Sequence, residues 1–415
     1  MRKTTTSLLE QTDNPEKLER LYQEDPVGFL ASLKEALERA PNSLVLRAWN
    51  VRLKGRVEPA QEKENINALW TTIAIAVAVG TLFRFPANWL APEWYYPRFG
   101  PICIILGPIS YFLIRNGEKQ LAKITAWLTA MTAMYVIFFP DPETSDSAAM
   151  ALIHVPAMFS IMLGAAFMGG SKWNVGERTR FVSYLGELVV LIVVVGLGGL
   201  VLSALTITLF SLIGMDIENW YMGNIGIACA AAVPVGATYL FDNPLKRKTT
   251  IAPALARVFS PLFLVMVTTY LIAAIIQGQN PFVDRDFLII FNGLLLLVLS
   301  ITVFSLVGRR KRIVGWLDYV NLTLVGTTLL INTVALSAII FRLVSFGFTP
   351  NRVVILGANV TVLIHLVQIF WSYLMSVKHR DGFPTINDVI GKYLPVYNAW
   401  AFLVVFVLPL IFSFS

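Results

Sequence analysis

Charged residues, cysteine and histidine are scarce in this sequence. Only 14% of the 415 residues are charged and 56% are hydrophobic, whereas a soluble chain is about 25% charged and about 45–50% apolar. The composition therefore excludes an ordinary soluble domain and indicates a membrane protein. The two cysteines, Cys103 and Cys229, lie within apolar segments, which predicts simple packing and no disulfide framework.

Sequence motifs of established chemistry are also missing. There is no Gly-x-Ser-x-Gly, no His-Glu-x-x-His and no Walker loop, and the three histidines are scattered, so no catalytic residue, metal site or cofactor is predicted. The net charge of +7 comes from basic residues beside apolar segments, which indicates membrane orientation and not nucleic-acid binding. Residues 1–19 lack the apolar core of a signal peptide, so the first span is expected to direct insertion.

Residues 67–415 contain the apolar segments that predict the fold. A helix needs about 20 apolar residues to cross a membrane core of about 30 Å. Eleven segments are interpreted as spans, centred on residues 67–83, 100–114, 121–139, 148–170, 181–213, 220–241, 254–276, 287–307, 315–344, 353–376 and 398–415. The predicted fold is all-α, a polytopic transmembrane helix bundle preceded by a small cytosolic helical segment.

The connecting loops alternate in basic charge. One set carries fifteen lysines and arginines and the other carries four; the first comprises 115–120, 171–180, 243–253, 309–314 and 377–397, and the second 84–99, 140–147, 214–219, 277–286 and 345–352. Basic loops face the cytosol. The N-terminus is therefore predicted inside and the C-terminus outside, which also agrees with eleven crossings.

Residues 1–66 form a polar segment with helix punctuation. Pro15 and Pro26 suit first helical positions, and Phe29, Leu30, Leu33 and Leu37 have helical spacing. The segment resembles one degenerate tetratricopeptide-like repeat, which cannot bury its own apolar face. Either a small helical cap or a docking surface for a cytosolic protein partner is expected.

The fifth span, residues 181–213, is unusually long. Its 33 residues would extend about 50 Å as a helix, so one tilted or broken helix and two crossings are alternatives. The basic loop before it and the acidic loop after it favour one net crossing. Gly196, Gly198 and Gly199 are predicted to permit a kink or a close helix contact.

The segment between the ninth and tenth spans reads Phe346-Gly347-Phe348-Thr349-Pro350-Asn351-Arg352. It resembles the aromatic-Gly-x-Thr-x-x-Arg stretch of a bacterial membrane family known as domain of unknown function four-one-five-three, where tyrosine is more frequent at the position of Phe346. The resemblance covers roughly residues 250–376. It implies a polytopic protein of the bacterial inner membrane and implies no activity or site residues. Independently of the family, Gly347, Thr349 and Pro350 predict a turn followed by a capped helix.

Arg342 and Arg352 are cations on the predicted outer side, where basic residues are rare. A cation at a helix N-terminus, as at Arg352, also opposes the helix dipole, so an anionic contact is expected. Two interpretations stay open. The arginines pair with Glu218, Asp284 or Asp286, or they flank a site for a lipid headgroup or an anionic substrate.

Glu187 and Asp318 are carboxylates within predicted spans. Ionisable groups in a membrane usually face the protein interior or a cavity. Glu187 is deep enough to require a partner on a neighbouring helix or to be protonated, and it is a candidate substrate or ion residue. Asp318 lies near the start of the ninth span and is interpreted as interfacial.

His365 is the other candidate substrate or ion residue. It lies within the tenth span, together with Asn359 and Gln368, and Asn332 lies in the ninth. These side chains predict a polar stripe along the two helices, which either binds a solute or only joins the helices by hydrogen bonds.

The sequence leaves three functional classes open. The first is a transporter or channel for a small or anionic solute, because long glycine-interrupted spans and buried charge recur in transporters. The second is a non-transporting sensor, scaffold or assembly component that binds a partner through residues 1–66. The third is a membrane-embedded lipid or envelope enzyme, for which no acid or histidine set is evident. Membrane lipids are the expected surroundings in each case.

Overall fold

The structure is a computed structural model that describes residues 15–24, 26–40, 43–169, 173–212, 215–245, 247, 251–276, 285–306, 316–379 and 384–415. All regular elements in these ranges are helical, which confirms the all-α prediction. The chain divides into two compact units, Met1–Trp70 and Thr71–Ser415.

The first unit contains helices α1 (Pro15–Glu24) and α2 (Pro26–Arg39) and the beginning of α3 (Leu44–Arg84). Both α1 and α2 begin at a proline, whose fixed φ suits the first helical turn. Apolar side chains from all three helices form one buried cluster: Leu18, Phe29, Leu33, Ala36, Leu46, Trp49 and Leu53. This unit therefore has a small hydrophobic core of its own.

The second unit contains the apolar helices. They are α4 (Pro92–Asn116), α5 (Lys119–Ile137), α6 (Asp146–Met168), α7 (Val175–Leu212), α8 (Glu218–Tyr221), α9 (Ile227–Asp242), α10 (Ile251–Ile276), α11 (Arg285–Leu306), α12 (Trp316–Phe346), α13 (Pro350–His379), α14 (Pro384–Phe402) and α15 (Leu408–Ile411).

Within the described residues, nine helices are long and apolar enough to cross a membrane. They are Ile66–Asn88, Pro92–Asn116, Asp146–Met168, Val175–Ser211, Glu218–Asp242, Ile251–Thr269, Asp318–Phe346, Pro350–Met375 and Ile386–Ile411. The other two predicted spans correspond to α5 and α11. The first turns of α5 contain Lys119, Gln120 and Lys123, and the described apolar part of α11 is the shorter Leu295–Leu306. The chain is thus a multi-pass membrane protein.

The fifth predicted span is one uninterrupted helix, α7. The predicted close contact at its glycines is not present, because a Cβ on Gly196, Gly198 or Gly199 would meet no described atom within 4 Å. Beyond residue 192 this helix is exposed or only partly buried on every side. Its second half therefore presents apolar side chains to the surrounding lipid.

Two helices contain a π turn, which leaves a backbone carbonyl without its usual partner. The first turn is Met222–Gly226, between α8 and α9, and the second is Leu403–Val407, between α14 and α15. Arg84 donates to the Gly223 carbonyl over 2.6 Å, and the Tyr135 hydroxyl donates to the Phe406 carbonyl over 3.4 Å. Side chains from other helices thus satisfy carbonyls in both turns.

Two buried cores meet at α14. One core is formed mainly by α4, α6, α7 and α9 and includes Ala401 of α14, and the other is formed mainly by α11, α12 and α13 and includes Ile390 of α14. Consequently α14 packs against both cores. This packing positions the tyrosine side chains of α14 against α13.

Candidate functional site: a histidine and two tyrosines between α13 and α14

The candidate site begins with the face that α13 turns toward α14. Gly357, Thr361 and His365 are each four residues apart, so they lie on one side of the helix. Tyr393 and Tyr397 of α14 are also four residues apart and contact this face. The spacing in both helices therefore brings an imidazole and two phenol rings together inside the bundle.

His365 is 2% exposed, and its ring is fixed on two sides. Its Nδ1 lies 2.8 Å from the Tyr397 hydroxyl. The Tyr393 ring stacks on the imidazole, with ring centroids 4.4 Å apart and planes inclined by 7°. The other nitrogen, Nε2, is buried and has no hydrogen-bond partner among the described residues.

The two tyrosines are themselves held in place. The Tyr393 hydroxyl donates to the Thr361 carbonyl over 2.7 Å, and the two phenol rings meet edge-on with centroids 5.3 Å apart. A neutral imidazole has one donor nitrogen and one acceptor nitrogen. Whichever tautomer is present, His365 can form one further hydrogen bond through Nε2 or take up one proton.

The helix pair is close-packed next to this cluster. A Cβ on Gly357 would lie only 1.9 Å from the nearest carbon of the Trp400 indole, so only glycine fits there. Asn398 accepts a hydrogen bond from the Ser160 hydroxyl over 2.8 Å, which joins α14 to α6. The supporting contacts make the His365 site a rigid one.

Glu187 faces the interior but contacts a helix terminus. Its side chain has no exposed surface, and its Oε1 accepts from the backbone N–H groups of Ile251 over 2.8 Å and Ala252 over 3.3 Å. These are the first residues of α10. A carboxylate satisfies the unpaired N–H groups there and matches the positive end of the helix dipole, so Glu187 joins α7 to α10.

Arg352 contacts backbone carbonyls. Its Nη1 donates to the carbonyls of Phe346 and Gly347, each over 2.8 Å. These groups end α12, where the helix dipole is negative. The described contacts include no ion pair between Arg352 and Glu218. Among the described residues, Arg352 meets the carbonyls at the C-terminal end of the preceding helix. Arg342, near the end of α12, is partly buried and has an interaction of its own. The expected partners Asp284 and Asp286 have side chains outside the described part of the structure.

The remaining residues of this turn have the predicted structural roles. Gly347 has a φ of +83°, which favours glycine. The Thr349 hydroxyl accepts from the Arg352 backbone N–H over 3.4 Å, and Pro350 begins α13. Helix termination and capping thus account for the turn.

The predicted polar stripe is divided between different helix pairs. Asn332 donates to the Asn359 carbonyl over 3.4 Å, and the Asn359 amide donates to Asn292 of α11 over 3.0 Å. This amide ladder joins α11, α12 and α13, whereas His365 points toward α14. Gln368 joins neither group and is exposed.

Asp318 lies in the first turn of α12, at the end of its span, and its side chain faces the bundle interior. Asp318 is 0% exposed, and its Oδ1 accepts from the Tyr373 hydroxyl over 3.3 Å. The Asn321 amide donates to the Ser305 hydroxyl over 3.0 Å and to the Tyr373 hydroxyl over 3.4 Å. Asp318 therefore belongs to a buried polar cluster between α11, α12 and α13.

Sequence reasoning missed a buried ion network at the end of α9. The Asp242 side chain is 3% exposed and pairs with Arg247 and Arg115, the latter over 3.4 Å. The Tyr111 hydroxyl donates to it over 2.8 Å, and Asn243 donates to that hydroxyl over 2.6 Å. In the sequence, both arginines belong to basic loops that predict only membrane orientation. The signal available in the sequence was a lone aspartate directly ahead of the basic loop.

Arg98 was also missed. It is 3% exposed and donates to the carbonyls of Phe139 over 2.7 Å and Pro140 over 2.8 Å, which follow α5. Three arginines of the predicted outer loops, Arg84, Arg98 and Arg352, therefore bind backbone carbonyls. No pattern in the sequence identifies such partners.

The helices and the polar contacts between them define an all-helical, multi-pass membrane protein with a buried histidine–tyrosine cluster. The chain matches no family model, no curated protein and no solved structure.

Proposed function

We propose that this chain crosses the bacterial inner membrane eleven times, with the N-terminus inside and the C-terminus outside. The proposal adds α5 and α11 to the nine apolar helices. For α5 the support is its length of 19 residues and the contact of Arg98, near the start of α4, with carbonyls just after α5. The helices α4 and α5 are antiparallel and are connected at one end by the chain and at the other by the Arg98 contact. They therefore extend over the same membrane thickness. Membership in the bacterial family that the 346–352 turn resembles belongs to the same proposal.

Contacts between connecting segments agree with the predicted sides. Residues near predicted cytosolic loops contact one another, as in the pairs Arg115–Asp242, Thr179–Asn387 and Glu187–Ile251. Residues near predicted outer loops do likewise, as in Arg98–Phe139, Arg84–Gly223 and Ser145–Phe414. A reporter fused after Ser415 should be extracytoplasmic and one placed in the 243–253 loop cytosolic. Detection of both in one compartment overturns this topology.

We further propose that the protein is a transporter for a small or anionic solute, with His365 as the proton-binding group. The observation that carries this proposal is the buried Nε2 atom, which has no partner among the described residues. An ionisable side chain within a membrane is costly and generally functional, and histidine changes its charge most readily. Glu187 and Arg352 are engaged with helix ends, so His365 is the candidate with a free nitrogen.

Flux measurements test the transport proposal. The purified protein is reconstituted into vesicles that contain a pH-sensitive dye, and proton movement is followed after gradients of formate, acetate or phosphate are imposed. The His365→Asn and Tyr397→Phe variants are expected to lower the flux at least tenfold. The matched control is His154→Asn, because His154 is also a membrane histidine but its Nδ1 lies 2.8 Å from the carbonyl of Met150 in its own helix.

Two results reject the transport proposal. One is wild-type protein that gives no more flux than protein-free vesicles with each of the three anions. The other is a His365→Asn variant that transports as fast as the control.

The sensor or scaffold function is the second candidate. It is favoured by the separate unit Met1–Trp70, whose helices form a core of their own, since a helical unit of this kind can present a surface to a cytosolic protein. Cross-linking in intact cells through Val51→Cys, an exposed position on α3, should then capture one specific protein. Absence of a specific cross-linked product counts against this function.

A further inference from the structure

Gln368 is a polar side chain on the outer surface of α13. It is exposed and has no hydrogen-bond partner among the described residues. It lies within the apolar span Pro350–Met375, and the seven residues from Gln368 to Met375 correspond to about 10 Å along a helix. Its carboxamide is therefore placed inside the hydrocarbon region.

Large apolar side chains surround Gln368 on the same face. Val360, Ile364, Val367 and Trp371 are 36%, 46%, 48% and 60% exposed. Their spacing of four, three and four residues places them in one stripe along the helix. These four residues and Gln368 are called the α13 seam below.

The carboxamide determines what can cover the α13 seam. It has two N–H donors and a carbonyl acceptor, and the hydrocarbon of the lipid offers no partner for them. A covering molecule must present both a donor and an acceptor at the same membrane depth. A second Gln368, related by a two-fold axis along the membrane normal, meets this requirement. Such an axis places the same residue of both copies at one membrane depth, and the two side chains face each other where the axis passes beside them.

We propose that a second copy of this chain packs against the α13 seam, with the two Gln368 side chains joined by reciprocal hydrogen bonds. This homodimer is independent of the transport function proposed above. Interhelical hydrogen bonds from glutamine stabilise helix pairs within membranes. The apolar residues of the seam supply the packing on either side of the amide pair.

Cysteine cross-linking in native membranes locates the interface. In a chain with Cys103 and Cys229 replaced by alanine, Ile364→Cys is expected to form a covalent dimer upon oxidation. The matched control is Leu205→Cys on α7, which is similarly lipid-exposed, at 57%. The expected dimer yield is at least tenfold higher for the α13 position. Equal yields at both positions, or no dimer at either, overturn the proposal.

Co-purification of two differently tagged copies tests Gln368 itself. Gln368→Ala should weaken the dimer about tenfold, which corresponds to about 1.4 kcal/mol. The control is Thr208→Ala on α7, where an exposed hydroxyl already donates to the Ala204 carbonyl of its own helix over 2.8 Å, so that no effect on dimerisation is expected. A monomeric wild type, equal retention by both variants, or a different protein bound at the seam would each show that the proposal is wrong.

Discussion

Replacement of Gly357 with alanine should force α13 and α14 apart. The added Cβ would lie 1.9, 2.3 and 2.6 Å from three carbon atoms of the Trp400 indole. Non-bonded carbon atoms are optimally about 3.5–4.0 Å apart, so the overlap exceeds 1 Å. A rigid indole ring cannot absorb such an overlap by a small side-chain rotation. Either the ring or the helix must move.

The magnitude follows from a comparison with Gly236 in α9, where a new Cβ meets no described atom within 4 Å. Alanine in place of glycine stabilises a helix by about 1 kcal/mol at either position. Overpacking of a close-packed interior costs about 1–3 kcal/mol. The helix-propensity gain is the same in both variants and cancels in the comparison, so Gly357→Ala should be about 1–3 kcal/mol less stable than Gly236→Ala.

Thermal unfolding in detergent, followed by tryptophan fluorescence at one fixed scan rate, measures this difference. Unfolding of a large membrane protein is commonly irreversible, so the variants must be compared under identical conditions. Trp400→Leu in the Gly357→Ala background should recover part of the loss, because it removes the colliding ring. A Gly357→Ala variant as stable as Gly236→Ala, or a double variant without such recovery, refutes the packing argument.

Three further outcomes are expected from the polar contacts. Glu187→Leu should lower the stability by about 1–3 kcal/mol, because it leaves buried N–H groups at the start of α10 without an acceptor; Glu177→Leu, which removes a partly exposed salt bridge from the same helix, should cost about 1 kcal/mol or less. Equal unfolding temperatures for this pair would contradict the capping role. Asp242→Asn should destabilise the fold by about 1–3 kcal/mol, since it removes the charged acceptor of two arginines that are themselves about a third exposed, and a change no larger than that of Glu177→Leu would count against this network. Arg352→Lys keeps the charge but loses the paired guanidinium contacts, so apparent melting should fall by a few degrees without loss of bound lipid; loss of co-purifying lipid with unchanged melting would instead support an anion site.

Much of the local structure was predictable because it depends on neighbouring residues. Thr349 and Pro350 follow the ordinary chemistry of helix starts, and Gly347 has the positive φ that its turn requires. Interior placement of Glu187 and His365 follows from the cost of leaving such groups in hydrocarbon. The burial of Asp318 among α11, α12 and α13 was not predictable, because distance from the end of a span does not report which side of the helix is covered by protein.

The candidate site was only partly predictable. His365 was identified as a membrane-embedded ionisable group, but its expected neighbours were Asn359 and Asn332. The structure instead places two tyrosines of α14 against it. His365 follows Asn359 by six positions, so the two side chains project in different directions from an α-helix. The predicted stripe took account of the helix on which each polar residue lies, but not of the direction in which its side chain projects.

The sequence by itself determined the class of the protein. The length and hydropathy of each apolar segment can be measured from consecutive residues alone. A membrane-spanning segment must satisfy its own backbone hydrogen bonds, so a long apolar segment predicts a helix. Only the tertiary structure decided which polar groups meet. Glu187 and its partner Ile251 are 64 residues apart, and Arg115 and Asp242 are 127 apart. Such pairs depend on how whole helices are arranged, and the arrangement is fixed by packing over many contacts rather than by any local pattern.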